Sequence, residues 1–300
     1  MKNNWPKINW IEKLNQYYIY FQTNTHNKLA KLSQELNSKI RTNKIAIANL
    51  FKVDEKSITF IPNTIITKLI SCQLINLNEN GIIHYYGNDF AFLKKNFLLN
   101  NESIIEINYL KNLEKLNFDL NLNNQLLWID STFNYTIEQL NQIIAKVKKE
   151  NPNIKIFINY SFLIYENVSH LSQMIAGFYY DPWVMFQILG SIILWINPQY
   201  HNQIKPLIFG GGMSYLKANQ FYAFNYPENL AAGTQNELIN LILSDLLKIY
   251  YDYSDIIQKK LINFTNNQKD FSNQQTKNRF VYYTSSNKDI KILNFNADDI

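Results

Sequence analysis

The sequence predicts an α/β fold of three layers, a mainly parallel sheet with helices on both faces, and three observations carry that prediction. The first is the stretch 126–159. "LLWID" is a short apolar strand, Leu140, Ile143, Ile144 and Val147 mark one face of a helix, and "IKIFIN" is a second continuous apolar strand. Strand, helix, strand with both strands apolar throughout implies a right-handed crossover between parallel neighbours covered on both faces. The second is composition: 46% of the 300 residues are apolar and 15% aromatic, which is enough for a substantial core in one large domain or two modest ones. The third is the succession of further strand and helix signals between residues 26 and 251.

Taken in order, residues 26–52 place Leu29, Leu32, Leu36, Ile40 and Ile47 near a helical period, so this segment is an amphipathic helix. "SITFI" (57–61) reads as a strand. Pro62 and Asn63 then punctuate the chain ahead of the apolar helix "TIITKLISC", with Asn63 or Thr64 as its cap. "GIIHYY" (81–86) is the next strand. Thr136 and Gln139 form a capping-box pattern before the crossover helix, and "NPN" turns the chain after it. "LIFGGGM" (207–213) reads as a turn. "AAGTQNELINLILSDLLKIYY" (231–251) reads as a helix capped by Thr234, with Glu237 three residues on and Leu238, Leu241, Ile242, Leu246 and Ile249 along it. Past residue 264 the text turns polar as a linker would, and "DIKILNFNADDI" begins a new strand, so the chain divides into 1–264 and 265–300. No internal repeat is visible.

Several function classes are disfavoured at this level. The charge, 29 basic minus 24 acidic groups or +5, is spread without single-sign runs, which argues against a nucleic-acid partner. Cys72 is the single cysteine, so there is neither an internal disulfide nor a multi-cysteine metal site, and its apolar helical setting marks an inert buried thiol. His26, His84, His170 and His201 lack metal-ligand spacing. Gly210–Gly212 form a bare triple glycine with no Walker-type lysine after it. The apolar run "DPWVMFQILGSIILWIN" (181–197) falls short of the roughly 20 apolar residues of a membrane span and is stopped by Asn197-Pro198. It reads as short buried segments. The start of the chain carries no secretion signal, and the cytoplasm is the expected location.

Several stretches in the same order resemble the cysteine desulfurases of the sulfur-mobilisation branch, pyridoxal-phosphate proteins with the class V aminotransferase fold. "NTHNKLAKLSQ" (24–34) is similar to N-x-H-R-G-x-H-x-L-S, with Arg41 where a helix arginine is expected. "SITFIPNT" is similar to I-x-F-x-x-G-T-T-E, "HYYGN" (84–88) to E-H-H-x-N, and "LLWIDSTFN" to a strand ending in S-N. "IFINYSF" resembles L-V-D-x-A-Q, and "GGGM" and "AAGTQN" resemble G-G-G-x-M and E-A-G-T-P-N. The order and spacing of these stretches over residues 24–255 carry the resemblance.

The resemblance implies the large domain of a fold-type I pyridoxal-phosphate enzyme, with the chemistry weakened at several positions. Pro182, Trp183, Val184 and Met185 fall on the S-G-H-K segment, so Met185 stands where the Schiff-base lysine would be. A thioether cannot form an imine. Asn159 takes the place of the aspartate that pairs with the pyridinium nitrogen, Phe162 that of a glutamine, and Tyr85 that of the stacking histidine. In the phosphate loop, Asn63 replaces glycine and Ile65 the second threonine. Thr64, Asn134 and Thr234 match phosphate-loop, ring-side and neighbouring-subunit residues of the family. Each also has a structural role open to it, Thr64 and Thr234 as helix caps and Asn134 as a turn former. The small domain with the persulfide cysteine has no counterpart beyond "KILNFNADDI".

The implied reading is a catalytically inactive desulfurase-like protein without cofactor, an interaction or regulatory subunit related to sulfur mobilisation and iron-sulfur cluster assembly. It would pair with itself or with an intact desulfurase, and a sulfur-acceptor scaffold is a further partner; neither nucleic acid nor membrane is expected. The alternative is an active desulfurase or selenocysteine lyase completed by another chain, with pyridoxal phosphate bound non-covalently or through Lys205 or Lys217. With Trp183, Met185, Phe162 and Tyr85 all near the old pocket, side chains are expected to fill it.

Overall fold

In the computed structural model the described residues are 29–76, 79–87, 105–113, 116, 122–130, 132, 135, 137–161, 174–183, 189–207, 214–217, 220–230, 237–252, 280–281 and 292–293. Seven strands form one sheet: β1 (Ile58–Ile61), β2 (Gly81–Tyr86), β3 (Ile105–Tyr109), β4 (Gln125–Ile129), β5 (Lys155–Asn159), β6 (Gly177–Tyr180) and β7 (Ile192–Ile196). Their spatial order is β1-β7-β6-β5-β4-β2-β3. Neighbours from β3 through β6 are parallel, whereas β7 runs antiparallel to both β6 and β1. The α/β class and the mainly parallel sheet are therefore present, with one reversed strand that the sequence reading did not contain.

Four helices are described, α1 (Leu29–Phe51), α2 (Thr64–Cys72), α3 (Ile137–Glu150) and α4 (Glu237–Asp252). The crossover β4-α3-β5 is as the sequence predicts. Side chains alternate across a strand, and the alternation divides the core in two. Leu127, Ile129, Ile156, Ile158, Phe178, Tyr180, Ile193 and Trp195 pack on one face with Ile47 and Phe51 of α1, Leu140 and Ile144 of α3 and Leu243 and Leu247 of α4. Leu126, Trp128, Phe157, Tyr179 and Leu194 pack on the other with Ile70 and Cys72 of α2 and with Ile204, Tyr226 and Leu230. Helices α1, α3 and α4 on one side and α2 with Ile204, Tyr226 and Leu230 on the other give the three layers. Buried on both sides, β4 and β7 have no exposed residue, which is why they read as unbroken apolar runs.

Local chemistry fixes the element ends. Asn63 caps α2: its Oδ1 accepts from the Ile66 N–H at 2.9 Å. Of the two caps open at the sequence level, Thr64 is thus the first helical residue and Asn63 the cap. Asn43 of α1 donates through Nδ2 to the carbonyls of Asn240 and Leu241 and accepts from Ser244 Oγ, which ties α1 to α4 across the sheet face.

Of the run 181–197 the described residues form a turn at Asp181–Trp183 and the buried strand β7, and no described helix is long and apolar enough to cross a membrane. Strand β3 and the hairpin of β8 (Ser214–Lys217) and β9 (Gln220–Ala223) lie outside the elements that the sequence predicts. Short strands β10 (Phe280–Val281) and β11 (Ile292–Leu293) pair antiparallel in the segment expected to be linker and remnant.

Candidate functional site

In open parallel sheets ligands sit beyond the carboxyl ends of the strands. Here those ends belong to β2, β4, β5 and β6. On the α2 face four aromatic side chains lie side by side across them: Tyr85 meets Trp128 edge-on at 5.6 Å between centroids, Trp128 meets Phe157 edge-on at 5.9 Å, and Phe157 stacks on Tyr179 at 6.0 Å. The two outer members of the row end in hydroxyls, and both reach Asp130, the residue that follows β4. Tyr85 OH donates to Asp130 Oδ2 at 2.9 Å and Tyr179 OH donates to Oδ1 at 2.5 Å. Lys68, from the second turn of α2, donates Nζ to Oδ2 at 3.0 Å, with both partners of the pair more than nine-tenths buried.

The close approach of these groups depends on Gly87. A Cβ there would stand 2.6 Å from Tyr85 OH and 2.8 Å from Asp130 Cβ. Both distances are below contact, so the residue after β2 has to lack a side chain.

A second polar chain begins at Asn159. Its Nδ2 donates to the Asp130 carbonyl at 2.9 Å, and its Oδ1 accepts from Ser161 N at 2.9 Å and from Ser161 Oγ at 2.5 Å. Ser161 Oγ in turn accepts from Asp181 N at 2.8 Å, and Thr132 Oγ1 donates to the Asn159 carbonyl at 2.8 Å. Asp181 Oδ1 accepts from the Trp183 N–H at 2.9 Å. Burial pushes the Asp181 carboxyl above its ordinary range, opposed by the Trp183 hydrogen bond and by the Lys68 charge. The Tyr179 phenol is pushed far up, first by burial and then by the Asp130 carboxylate, so it acts as a donor and stays protonated.

The structure brings Tyr85 and Asn159 of the sequence-identified residues to one place, through Asp130. Thr64 lies at the start of α2, one helical turn before Lys68 on the same face. Met185, Asn134, Thr234 and Phe162 lie outside the described residues, as do His26 and His170. Trp183, expected in the pocket, is instead 47% exposed. Its turn is fixed by Asp181 and projects the indole outward. Lys205 is at the other end of the sheet: its N–H donates to Gln73 Oε1 at 2.6 Å just past α2, beside Leu74, whose carbonyl accepts from Lys155 at the start of β5. It is exposed and remote from Asp130, and the side chain of Lys217 is not among those described. His84 is buried and bonded to Gln125 Oε1 at 3.0 Å, and His201 bonds the Ile196 carbonyl at 2.9 Å. Among the described residues no group of three or more His, Cys, Asp or Glu could hold a metal. Burial pushes the Cys72 thiol far above the range in which a thiolate forms.

Asp130, Lys68 and Tyr179 are absent from the sequence-level site. Two signals point to Lys68 and Asp130 and none to Tyr179: one lysine inside the apolar helix "TIITKLISC", and an aspartate directly after a fully apolar strand. Buried charges are rare unless paired.

No protein-family model matches the chain, and no curated protein matches it. Solved structures do. The cysteine desulfurase CsdA from Escherichia coli aligns at 18% identity and TM-score 0.63 over 81% of this chain, which spans 65% of that protein's length. The apo cysteine desulfurase from Thermococcus onnurineus NA1 aligns at 14% and 0.65 over 92% of this chain and 72% of its own. DndA from Streptomyces lividans aligns at 12% and 0.63 over 91% of this chain and 76% of its own. The chain therefore has the fold of the cysteine desulfurases.

Against the cofactor that this fold implies, the described residues do not fit. Asn63 Oδ1 already takes the Ile66 N–H, a donor that a phosphate at a helix N-terminus would use. Tyr85 directs its hydroxyl at Asp130, and both ends of the Asn159 amide are bonded to Asp130 and Ser161.

Proposed function

We propose that this chain is a catalytically silent protein of the desulfurase fold, an interaction or regulatory subunit in sulfur mobilisation and iron-sulfur cluster assembly that pairs with itself or with an active relative. The observation that carries the reading is the bonding of Asn159. One N–H of its amide serves the Asp130 carbonyl and its oxygen accepts from Ser161 N and Oγ, so it holds strand ends together and presents no carboxylate to a ring nitrogen. Asn also lacks the charge by which a carboxylate keeps such a ring protonated. Met185 at the lysine position and the capped N-terminus of α2 point the same way.

Independent positions have thus lost the chemistry while two packed core faces persist. Persistence of a core without its reactive groups is what a binding role requires, because a partner surface needs the fold and not the imine.

The test has three measurements on the purified chain. Incubated with pyridoxal phosphate, it develops no imine absorbance at about 420 nm and releases no sulfide from cysteine. Sedimentation with and without an active desulfurase then shows a dimer or a mixed complex. A borohydride-sensitive imine band together with sulfide release would sink the proposal.

A further inference from the structure

Three donors from three different elements converge on one buried carboxylate. Lys68 Nζ comes from α2, Tyr85 OH from β2 and Tyr179 OH from β6, and Asp130 accepts all three with both its oxygens. A carboxylate offers about four lone-pair directions, so this one is nearly saturated by its own chain. A buried aspartate without a cation would be strongly unfavourable. Here the cation is Lys68, delivered by the same face of α2 that carries Thr64 one turn earlier.

We propose that Lys68 is the built-in counter-ion of the strand-end site, an internal group that completes its charge and hydrogen bonding so that the fold stands without any bound cofactor. The pair cancels its own charge, and its ammonium has no lone pair with which to attack an aldehyde. The two phenols hold the carboxylate from either side, and Gly87 gives them room to do so. Helix α2 is thereby latched to the ends of β2, β4 and β6, the position where a ligand would otherwise have to bridge them. This inference deepens the non-catalytic reading and rests on it.

Three forms of the full chain test it: Lys68→Met, Asp130→Asn and the double variant. Lys68→Met orphans a buried carboxylate and lowers the unfolding temperature by about 10 °C. The double variant regains more than half of that loss, because an asparagine at 130 carries no charge, accepts from one tyrosine hydroxyl through its oxygen and donates to the other through its nitrogen. Pyridoxal phosphate followed by borohydride leaves Lys68 unlabelled in peptide mass maps of the unaltered chain, and pyridoxal phosphate does not raise its unfolding temperature. If Lys68→Met proves insoluble, a soluble double variant supports the proposal and an equally insoluble one overturns it. It is also overturned if Lys68→Met unfolds within about 2 °C of the parent, if the double variant is no better than the single, or if a reduced pyridoxyl group is found on Lys68. An imine band from some other lysine, with the Lys68→Met loss intact, would instead strike the function proposed above and leave the counter-ion in place.

Discussion

Asn159 Nδ2 donates to the main-chain oxygen of Asp130 at 2.9 Å, and that bond ties the carboxyl ends of two adjacent parallel strands. It also fixes the backbone of the residue whose side chain gathers Lys68, Tyr85 and Tyr179. One amide thus supports the whole strand-end cluster.

Restoring the charged residue at this position does not restore chemistry. Asn159→Asp removes the donor to the Asp130 carbonyl and sets a buried charge against it and against the Asp130 carboxylate. The variant loses about 2–3 kcal/mol of stability and gains no affinity for pyridoxal phosphate. Urea unfolding followed by tyrosine and tryptophan fluorescence checks the first, and absorbance titration the second.

Gly87→Ala places a Cβ 2.6 Å from Tyr85 OH. Tyr85 is fully buried and cannot swing away, so the substitution costs about 1–3 kcal/mol. Tyr85→Phe in the same background recovers part of that cost by removing the clashing oxygen. A double-mutant cycle by chemical denaturation measures the coupling.

His84 sets an acid limit. Burial lowers its pKa, against the opposing effects of the Gln125 hydrogen bond and the Glu106 charge. A lowered folded value means that the neutral ring contributes stability above the unfolded-state value of about 6.5. That contribution is lost as the pH falls through the folded value. Urea midpoints measured downward from pH 8 therefore drop in the acid range for the parent, and His84→Gln flattens the slope.

Asp181 behaves in the opposite sense. Its folded value is raised, first by burial, so its contribution is most favourable below the unfolded-state value of about 3.9 and is lost as the pH rises through the folded one. Asp181→Asn keeps an acceptor for Trp183 N and stabilises the protein at pH 7. The gain shrinks as the pH is lowered toward the unfolded value. Unfolding temperatures of the two proteins at pH 7 and pH 4 decide it.

Read alone, the sequence determined the crossover β4-α3-β5, the buried Cys72, the helix starting after Pro62-Asn63 and the two-sided burial of β4, because each is encoded by neighbours a few residues apart through apolar period, caps and turns. It also determined that Met185 carries no amine. Only the tertiary structure decided that β7 runs against its neighbours, that Trp183 faces outward, and that Lys205 lies at the far end of the sheet. The strand-end cluster was decided there too. Lys68 and Asp130 are 62 positions apart and Tyr179 and Asp130 are 49 apart. A hydrogen bond between such residues leaves no local period in the sequence, and whether an asparagine at 159 faces a ligand or a backbone carbonyl is settled by the strand that folding sets beside it.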